Sequence, residues 1–170
     1  MKMNLIWLKT ISVLATLTTL FLSVQVKAEV KQLASDIVSP LVSEAKLKNG
    51  ELLYVDFWAS WCVPCRKSFP WMNAMVSKYQ DKGLRVLAVN LDVEKSLADE
   101  FLKKYPANFP VIYDPNGKLA TAFDVQGMPS SFIIDSNGQI LNSQKGFKTR
   151  LVAEYEKKIA KVLKTLNLKN

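Results

Sequence analysis

The chain of 170 residues contains two cysteines, Cys62 and Cys65, and their spacing constrains it more than any other feature. They follow an apolar run and precede a helical pattern, which places them one turn apart at the start of a helix. Residues at i and i+3 of a helix have Cβ atoms about 5–6 Å apart, so a disulfide can form after a small adjustment. A ring this small stabilises a fold by only about 2 kcal/mol, and we therefore expect the bond to serve redox chemistry.

A structural zinc site is an alternative use for paired cysteines. Such a site takes four Cys or His ligands, whereas the sequence has two cysteines and no histidine. A pair of unrelated thiols is another interpretation. The position of the pair between a strand pattern and a helix pattern favours a dithiol/disulfide couple.

The charge of the chain is positive but dispersed. The formal net charge is +8. Three lysines among the first 28 residues contribute +3, so the remainder of the chain carries +5. The lysines are scattered among acidic residues there, as from Glu154 to Lys158. This mixture is typical of a solvated surface, so we expect no nucleic-acid partner.

The N-terminal segment has the pattern of an export signal. A short basic start precedes an uncharged, mostly apolar stretch at residues 10–26, and residues 26–28, Val-Lys-Ala, offer the small side chains that a signal peptidase reads. The sequence predicts a signal peptide at residues 1–28 and one domain at residues 29–170. The alternative is an uncleaved membrane anchor formed by residues 5–26, since about 17–25 apolar residues span a bilayer. Either way we expect a periplasmic or otherwise exported domain in an oxidising compartment.

The remainder alternates between strand and helix patterns and ends in a hairpin and a helix. Because consecutive buried strands connected by helices form largely parallel sheets, this order predicts an α/β fold with a central mixed sheet flanked by helices. The predicted helices cover residues 30–48, 64–79 with a kink at Pro70, 93–105, 118–123 and 150–166. The predicted strands cover residues 51–59, 84–91, 109–113, 131–135 and 139–145.

Three segments carry a family resemblance. Residues 54–65, Tyr-Val-Asp-Phe-Trp-Ala-Ser-Trp-Cys-Val-Pro-Cys, resemble the active-site strand and loop of thioredoxins. Residues 127–135, Gly-Met-Pro-Ser-Ser-Phe-Ile-Ile-Asp, resemble their cis-proline segment. The stretch at residues 93–123 is similar to the insert of secreted or anchored thioredoxin-like proteins of the TlpA and ResA type. The resemblance implies a thioredoxin-like fold over residues 50–165.

The two cysteines and an aspartate form the predicted catalytic group. A helix N-terminus favours an anion, so Cys62 is expected to be the attacking thiolate, and Cys65, one turn further in, the resolving thiol. The resemblance assigns them the same roles. Asp56 interrupts an apolar strand, and burial without a charged partner would raise its pKa. The resemblance implies that Asp56 exchanges a proton with Cys65; a purely structural carboxyl is the alternative.

Three further residues are predicted to contact substrate. The resemblance implies that Pro129 follows a cis peptide bond beside the disulfide and that the backbone of Met128 binds an extended polypeptide. Without the resemblance, Pro129 reads as an ordinary trans turn residue. Trp61 is expected to lie over the site as an apolar platform, with a core position as the alternative, while Trp58 packs beneath.

The resemblance implies an exported thiol:disulfide oxidoreductase that reduces protein disulfides through the Cys62–Cys65 couple and needs no bound cofactor. Its implied partners are protein disulfides, including the haem-attachment cysteines of apocytochrome c, and a membrane thiol-electron donor of the DsbD or CcdA type. The lack of a histidine between the cysteines favours a reductant. A disulfide oxidase or isomerase, a peroxiredoxin-like peroxidase and a non-enzymatic peptide-binding module remain alternatives.

Overall fold

The computed structural model describes residues 37–167. The predicted signal peptide or anchor and the first part of the predicted N-terminal helix lie outside this range. Residues 37–44 are helical, in agreement with the later part of that prediction. From residue 37 to residue 167, none of the helices combines the length and the apolar character needed to cross a membrane.

Each strand and helix predicted beyond residue 50 is present in the structure. In the described range these are strands β1 (Leu52–Trp58), β2 (Leu84–Asn90), β3 (Val111–Tyr113), β4 (Ser130–Asp135) and β5 (Ile140–Lys145). The helices are α1 (Cys65–Tyr79), α2 (Lys95–Lys104), α3 (Lys118–Ala122) and α4 (Val152–Asn167). Short 3-10 turns at Gln80–Lys82 and Thr149–Leu151 follow α1 and precede α4.

The five strands form one mixed sheet in the order β3-β2-β1-β4-β5. β1 and β2 are parallel, as are β2 and β3, whereas β4 is antiparallel to both β1 and β5. The predicted mixed sheet flanked by helices is therefore confirmed. β1, which leads directly to the cysteines, occupies the middle.

β1 is buried along its entire length because both faces of the sheet are covered. On one face Leu52, Tyr54 and Trp58 pack in a cluster with residues of α1, α2 and α4. On the other face Leu53, Val55 and Phe57 pack with the helical residues 37–44 and with Phe123. This two-sided burial explains the near-continuous apolar run in the sequence.

α1 begins directly after the loop that follows β1. Pro64, with a φ of −62°, occupies the N-cap, where its missing N–H leaves no intrahelical bond unmade. The helix continues through Pro70 to Tyr79 without interruption. The first turn of α1 thus starts at Cys65, at the carboxyl end of the central strand.

Candidate active site

Cys62 and Cys65 form a disulfide at the start of α1. Their Cα atoms are 5.3 Å apart, and the backbone N–H of Cys65 donates a hydrogen bond to the sulfur of Cys62 at 3.2 Å. Cys62 is 3% exposed and Cys65 is fully buried. The N–H bond and the helix N-terminus both favour negative charge on the Cys62 sulfur. Cys62 is thus the sulfur nearer to solvent, and Cys65 lies beneath it.

The loop that carries the disulfide is held by a buried carboxylate that sequence reasoning missed. Asp92, just after β2, accepts hydrogen bonds from the N–H of Ser60 at 2.9 Å and from its hydroxyl at 2.8 Å. The side-chain amide of Asn90 donates to the same carboxylate at 2.8 Å, and the N–H of Asp92 donates back to Asn90 at 3.1 Å. The sequence contains a signal for this contact. Asn90 ends β2 and Asp92 follows it, and the carboxyl ends of neighbouring parallel strands meet at one edge of a sheet, which here also carries the disulfide loop.

Asp56 is completely buried within β1, as the sequence predicted. Its Oδ1 atom accepts a hydrogen bond from the Ser131 hydroxyl at 2.6 Å, and its Oδ2 atom has no hydrogen-bond partner among the described residues. Burial raises the pKa of Asp56 to about 7, although the bond from Ser131 partly opposes this rise. The carboxyl can therefore accept or release a proton near neutral pH. Its proton exchange with Cys65 stays a prediction.

The segment before β4 lies at the same edge of the sheet as the disulfide loop. Ser130, the first residue of β4, pairs with Phe57 near the end of β1. The peptide bond between Met128 and Pro129 is cis, and the carbonyl of Pro129 accepts a hydrogen bond from the Gly146 N–H at 2.7 Å. The fold thus brings Met128 and Pro129 to the edge that carries the cysteines. Their contact with substrate remains a prediction.

The two tryptophans of the loop region have opposite environments. Trp61 is 66% exposed, and Val63, between the cysteines, is 59% exposed. Trp58 is fully buried, with its ring centroid 4.8 Å from that of Phe69 and 4.6 Å from that of Phe101. Trp61 and Val63 therefore form an exposed apolar surface beside the disulfide, whereas Trp58 belongs to the core.

A groove that the sequence did not predict runs from the disulfide loop along α2. It has a volume of about 260 Å³ and is lined by Ser60, Arg66, Leu97, Glu100 and Lys104, among others. Its lining combines the charged side chains of Arg66, Glu100 and Lys104 with the apolar side chains of Leu97 and Phe101. In residues 37–167, no group of three or more His, Cys, Asp or Glu side chains could hold a metal ion.

Residues 31–160 match the model of the Redoxin family. The chain belongs to the Redoxin family. The thiol-disulfide oxidoreductase ResA of Bacillus thuringiensis subsp. konkukian is 36% identical over 117 residues, which cover 68% of each chain. ResA of Bacillus subtilis is 33% identical over 101 residues, which cover 59% of this chain and 56% of the relative.

Solved structures show the same relationship for this Redoxin-family protein. A Chlorobium tepidum protein described as a thiol:disulfide interchange protein DsbE is 46% identical, with a TM-score of 0.67 over 72% of this chain and 84% of the other. A Neisseria meningitidis protein described as a thioredoxin is 25% identical, with a TM-score of 0.60 over 68% of this chain and 77% of the other. The chain is therefore a thioredoxin-fold thiol-disulfide oxidoreductase of the TlpA and ResA type.

Proposed function

We propose that this oxidoreductase is an exported reductant of protein disulfides. The observation that carries the proposal is the sparse stabilisation of Cys62: in the described part of the chain, one N–H group, that of Cys65, donates a hydrogen bond to its sulfur. The intervening Val63 and Pro64 have no side-chain donor. A CxxC couple becomes oxidising when its reduced thiolate is strongly stabilised, as in DsbA. Beyond this N–H group and the helix N-terminus, the residues between the cysteines add no donor that would stabilise the thiolate, so we expect the reduced pair to give up its electrons more readily than a pair of the DsbA type.

The buried carboxyl adds to this argument. Asp56 has no charged partner among residues 37–167, and it lies on the same face of β1 as residues that pack with Cys65. When ionised, it places a negative charge in a region of low dielectric constant, where a second negative charge on a thiolate is disfavoured. The thiolate of the reduced pair is therefore destabilised further. This again favours electron donation over electron acceptance.

The reaction has two exchange steps. The Cys62 thiolate attacks one sulfur of the substrate disulfide, forms a mixed disulfide and releases the other substrate sulfur as a thiolate. Cys65 then loses its proton, with Asp56 as the acceptor, and attacks the Cys62 sulfur. The mixed bond breaks, the second substrate thiolate leaves, and the Cys62–Cys65 disulfide of the structure is formed. Two electrons have passed from the protein to the substrate.

The substrate side of the proposal rests on the surface around the disulfide. Trp61 and Val63 supply apolar contact area, and the backbone of Met128 lies at the same sheet edge for pairing with an extended chain. The resemblance to TlpA-type and ResA-type proteins supports apocytochrome c as one such substrate, through its haem-attachment cysteines. The apolar stretch at residues 10–26 supports export to the periplasm or tethering to the inner membrane.

A reductant in an oxidising compartment must itself be reduced again. Because thiol–disulfide exchange would reduce the oxidised Cys62–Cys65 pair with electrons from another dithiol, we propose a membrane thiol-electron donor of the DsbD or CcdA type. The same outer sulfur, that of Cys62, would meet donor and substrate in turn.

The test is the equilibrium reduction potential of the Cys62–Cys65 couple, titrated with glutathione and dithiothreitol buffers. The proposal expects a value near or below that of thioredoxin, about −270 mV. A value near that of DsbA, about −120 mV, would overturn it and assign the protein to disulfide formation.

A further inference from the structure

A row of three polar side chains crosses the apolar face of the sheet that packs against α1 and α4. Asp56 of β1 pairs with Ser131 of β4, and Ser131 pairs with Gln144 of β5. Residues paired across neighbouring strands share one face of a sheet, so the three lie side by side. The row starts at the buried carboxyl in the sheet centre and ends at the outermost strand.

The inner end of the row is closed to solvent. Asp56 and Cys65 are both fully buried. The hydroxyl of Ser131 donates a hydrogen bond to Asp56 Oδ1 at 2.6 Å. Among residues 37–167, Oδ2 has no hydrogen-bond partner and is therefore free to take a proton. A proton that enters on Oδ2 can reach the side of Ser131 when the neutral carboxyl rotates about its Cβ–Cγ bond, which exchanges the positions of the two oxygens. Ser131 is the polar group placed to receive it.

The outer end of the row opens through a small cavity. A space of about 10 Å³ lies next to Ser131, and its other polar lining residues are Tyr54, Asn142, Gln144, Tyr155 and Lys158. This volume is about that required for one water molecule, which also needs two to four polar partners. Gln144 is half-buried, and Asn142 and Lys158 are exposed. A water in this cavity would touch Ser131 on one side and reach bulk solvent on the other.

We propose that Ser131 and this cavity form a proton relay between Asp56 and solvent at the β5 edge of the sheet. Cys65 gives its thiol proton to Asp56 Oδ2. Rotation of the carboxyl then turns the protonated oxygen toward Ser131, the Ser131 oxygen accepts this proton, and the Ser131 hydroxyl proton passes to the water. Cys65 then attacks Cys62, so the Cys62–Cys65 bond forms, the bond from Cys62 to the substrate breaks, and the electron pair leaves on the substrate sulfur. Rotation of the hydroxyl restores the starting hydrogen bond. Ser131 acts through Asp56 and is therefore a positioning residue.

The other titratable groups around the row do not replace Asp56. Burial and the neighbouring charge of Asp56 hold the pKa of Tyr54 well above its usual value, so Tyr54 stays neutral. On α4, the Tyr155 hydroxyl accepts a hydrogen bond from the Lys148 N–H at 3.1 Å, and Lys158 pairs with Glu154 at 3.1 Å. α1 contributes Cys65. The residues of β4 and β5 that line the cavity, Ser131, Ile133, Asn142 and Gln144, have no titratable side chain. Asp56 is thus the carboxyl that takes the proton of Cys65.

The relay is tested by two substitutions of equal shape. Ser131→Thr keeps the hydroxyl and Ser131→Val removes it, so any effect of the added methyl group is common to both. Each reduced protein is mixed with oxidised glutathione, quenched with acid, and analysed by mass spectrometry for the mixed disulfide on Cys62. Ser131→Val should resolve this intermediate about tenfold more slowly than Ser131→Thr, a part of the ~10²–10⁴-fold typical of proton transfer by a side chain. The intermediate should accumulate only in the valine variant.

Two further measurements separate a relay from a structural effect. In an Asp56→Asn background, Ser131→Val and Ser131→Thr should resolve the intermediate equally fast, because the carboxyl that the hydroxyl serves is gone. Ser143→Val, a substitution of an exposed residue whose partner on β4 is Phe132 and which lies on the opposite face, should leave the rate unchanged. If Ser131→Val does not fold, Gln144→Met tests the same exit by removing one polar partner of the water, and it should also slow resolution.

The outcomes distinguish the relay from the exchange activity on which it rests. Equal resolution rates in the threonine and valine variants, or a slow valine variant in the Asp56→Asn background, would overturn the relay and leave the exchange activity standing. A wild-type protein that does not react with oxidised glutathione would overturn both. The test of the relay does not depend on the direction of net electron flow, because in the reverse reaction the same route carries the proton inward.

Discussion

Asp92 holds Ser60 through both its backbone N–H, at 2.9 Å, and its hydroxyl, at 2.8 Å. Ser60 lies two residues before Cys62, and Asp92 is itself buried. The two bonds tie the disulfide loop to the residues that follow β2, so the position of the reactive sulfur depends on a carboxylate 30 residues further along the chain.

Asp92→Ala should destabilise the protein by about 3 kcal/mol and slow disulfide exchange. The substitution leaves the buried amide of Asn90 and two donors of Ser60 without their acceptor, and each such group costs about 1–3 kcal/mol. Urea denaturation of the oxidised protein measures the first effect, and the rate of reaction with a peptide disulfide measures the second. The control is Asp99→Ala, which breaks an exposed pair with Lys95 and should change stability by less than about 1 kcal/mol. Equal stabilities for the two variants would refute the role of Asp92.

The stability of the oxidised protein should fall as pH rises from 5 to 8, and Asp56→Asn should remove most of this fall. In the folded state the pKa of Asp56 is raised to about 7, so the folded protein keeps a proton that the unfolded chain releases near pH 4. The resulting stabilisation is complete below the unfolded pKa and is lost as pH rises through the folded pKa. Its size over this range is on the order of 3 kcal/mol.

The free energy of unfolding of both proteins is measured in urea at pH 5 and at pH 8. The chain contains no histidine, so few other side chains titrate in this interval. Parallel pH dependence in wild type and Asp56→Asn would mean that Asp56 does not carry the raised pKa.

Cys65→Ser should trap a mixed disulfide between Cys62 and a protein or peptide substrate. Cys62 is the outer sulfur and receives the Cys65 N–H, while the thiol needed to release the substrate is absent in this variant. Non-reducing mass spectrometry detects the adduct. Cys62→Ser is the matched control and should form little adduct, because its remaining sulfur is fully buried. Trapping by Cys62→Ser in preference to Cys65→Ser would reverse the two roles.

Trp61→Ala should slow the reduction of a peptide disulfide about fivefold, with a much smaller effect on exchange with dithiothreitol. Trp61 is 66% exposed beside the disulfide, and the loss of an aromatic contact at an interface costs about 1 kcal/mol or more. A small dithiol does not extend to this surface. Ile140→Ala is the control, since Ile140 is also exposed but pairs with Ile134, which lies opposite Leu53 at the far end of β1. If Trp61→Ala slows both reactions equally, Trp61 supports the site and does not bind substrate.

The elements of the fold were predictable because each depends on a local pattern. The apolar run of β1, the proline before α1 and the Ser-Asn-Gly turn between β4 and β5 all lie within a few neighbouring residues. Several elements are shorter in the structure than the sequence predicted. Strand β3, for example, begins at Val111, two residues after its predicted start. The ends of strands and helices depend on backbone hydrogen bonds, and the pattern of apolar residues contains no information about these bonds.

The missing parts of the site depend on contacts between residues far apart in the sequence. Cys62, Cys65 and Asp56 were found because they interrupt or end one apolar strand. Ser131 contacts Asp56 across 75 positions, and Asp92 contacts Ser60 across 32. Such pairs follow from strand register, and one sequence does not specify which residue of β4 faces which residue of β1.

The central place of β1 also determines which parts of the protein open first. β1 is bonded to strands on both sides and buried throughout, whereas β3 has three residues and β5 is largely exposed. Local opening costs least where buried contacts are few, so thermal fraying begins at the two outer strands and reaches β1 last. The sulfurs are thus attached to the slowest-exchanging strand of the domain. Local opening of the outer strands β3 and β5 therefore leaves the position of the two sulfurs unchanged.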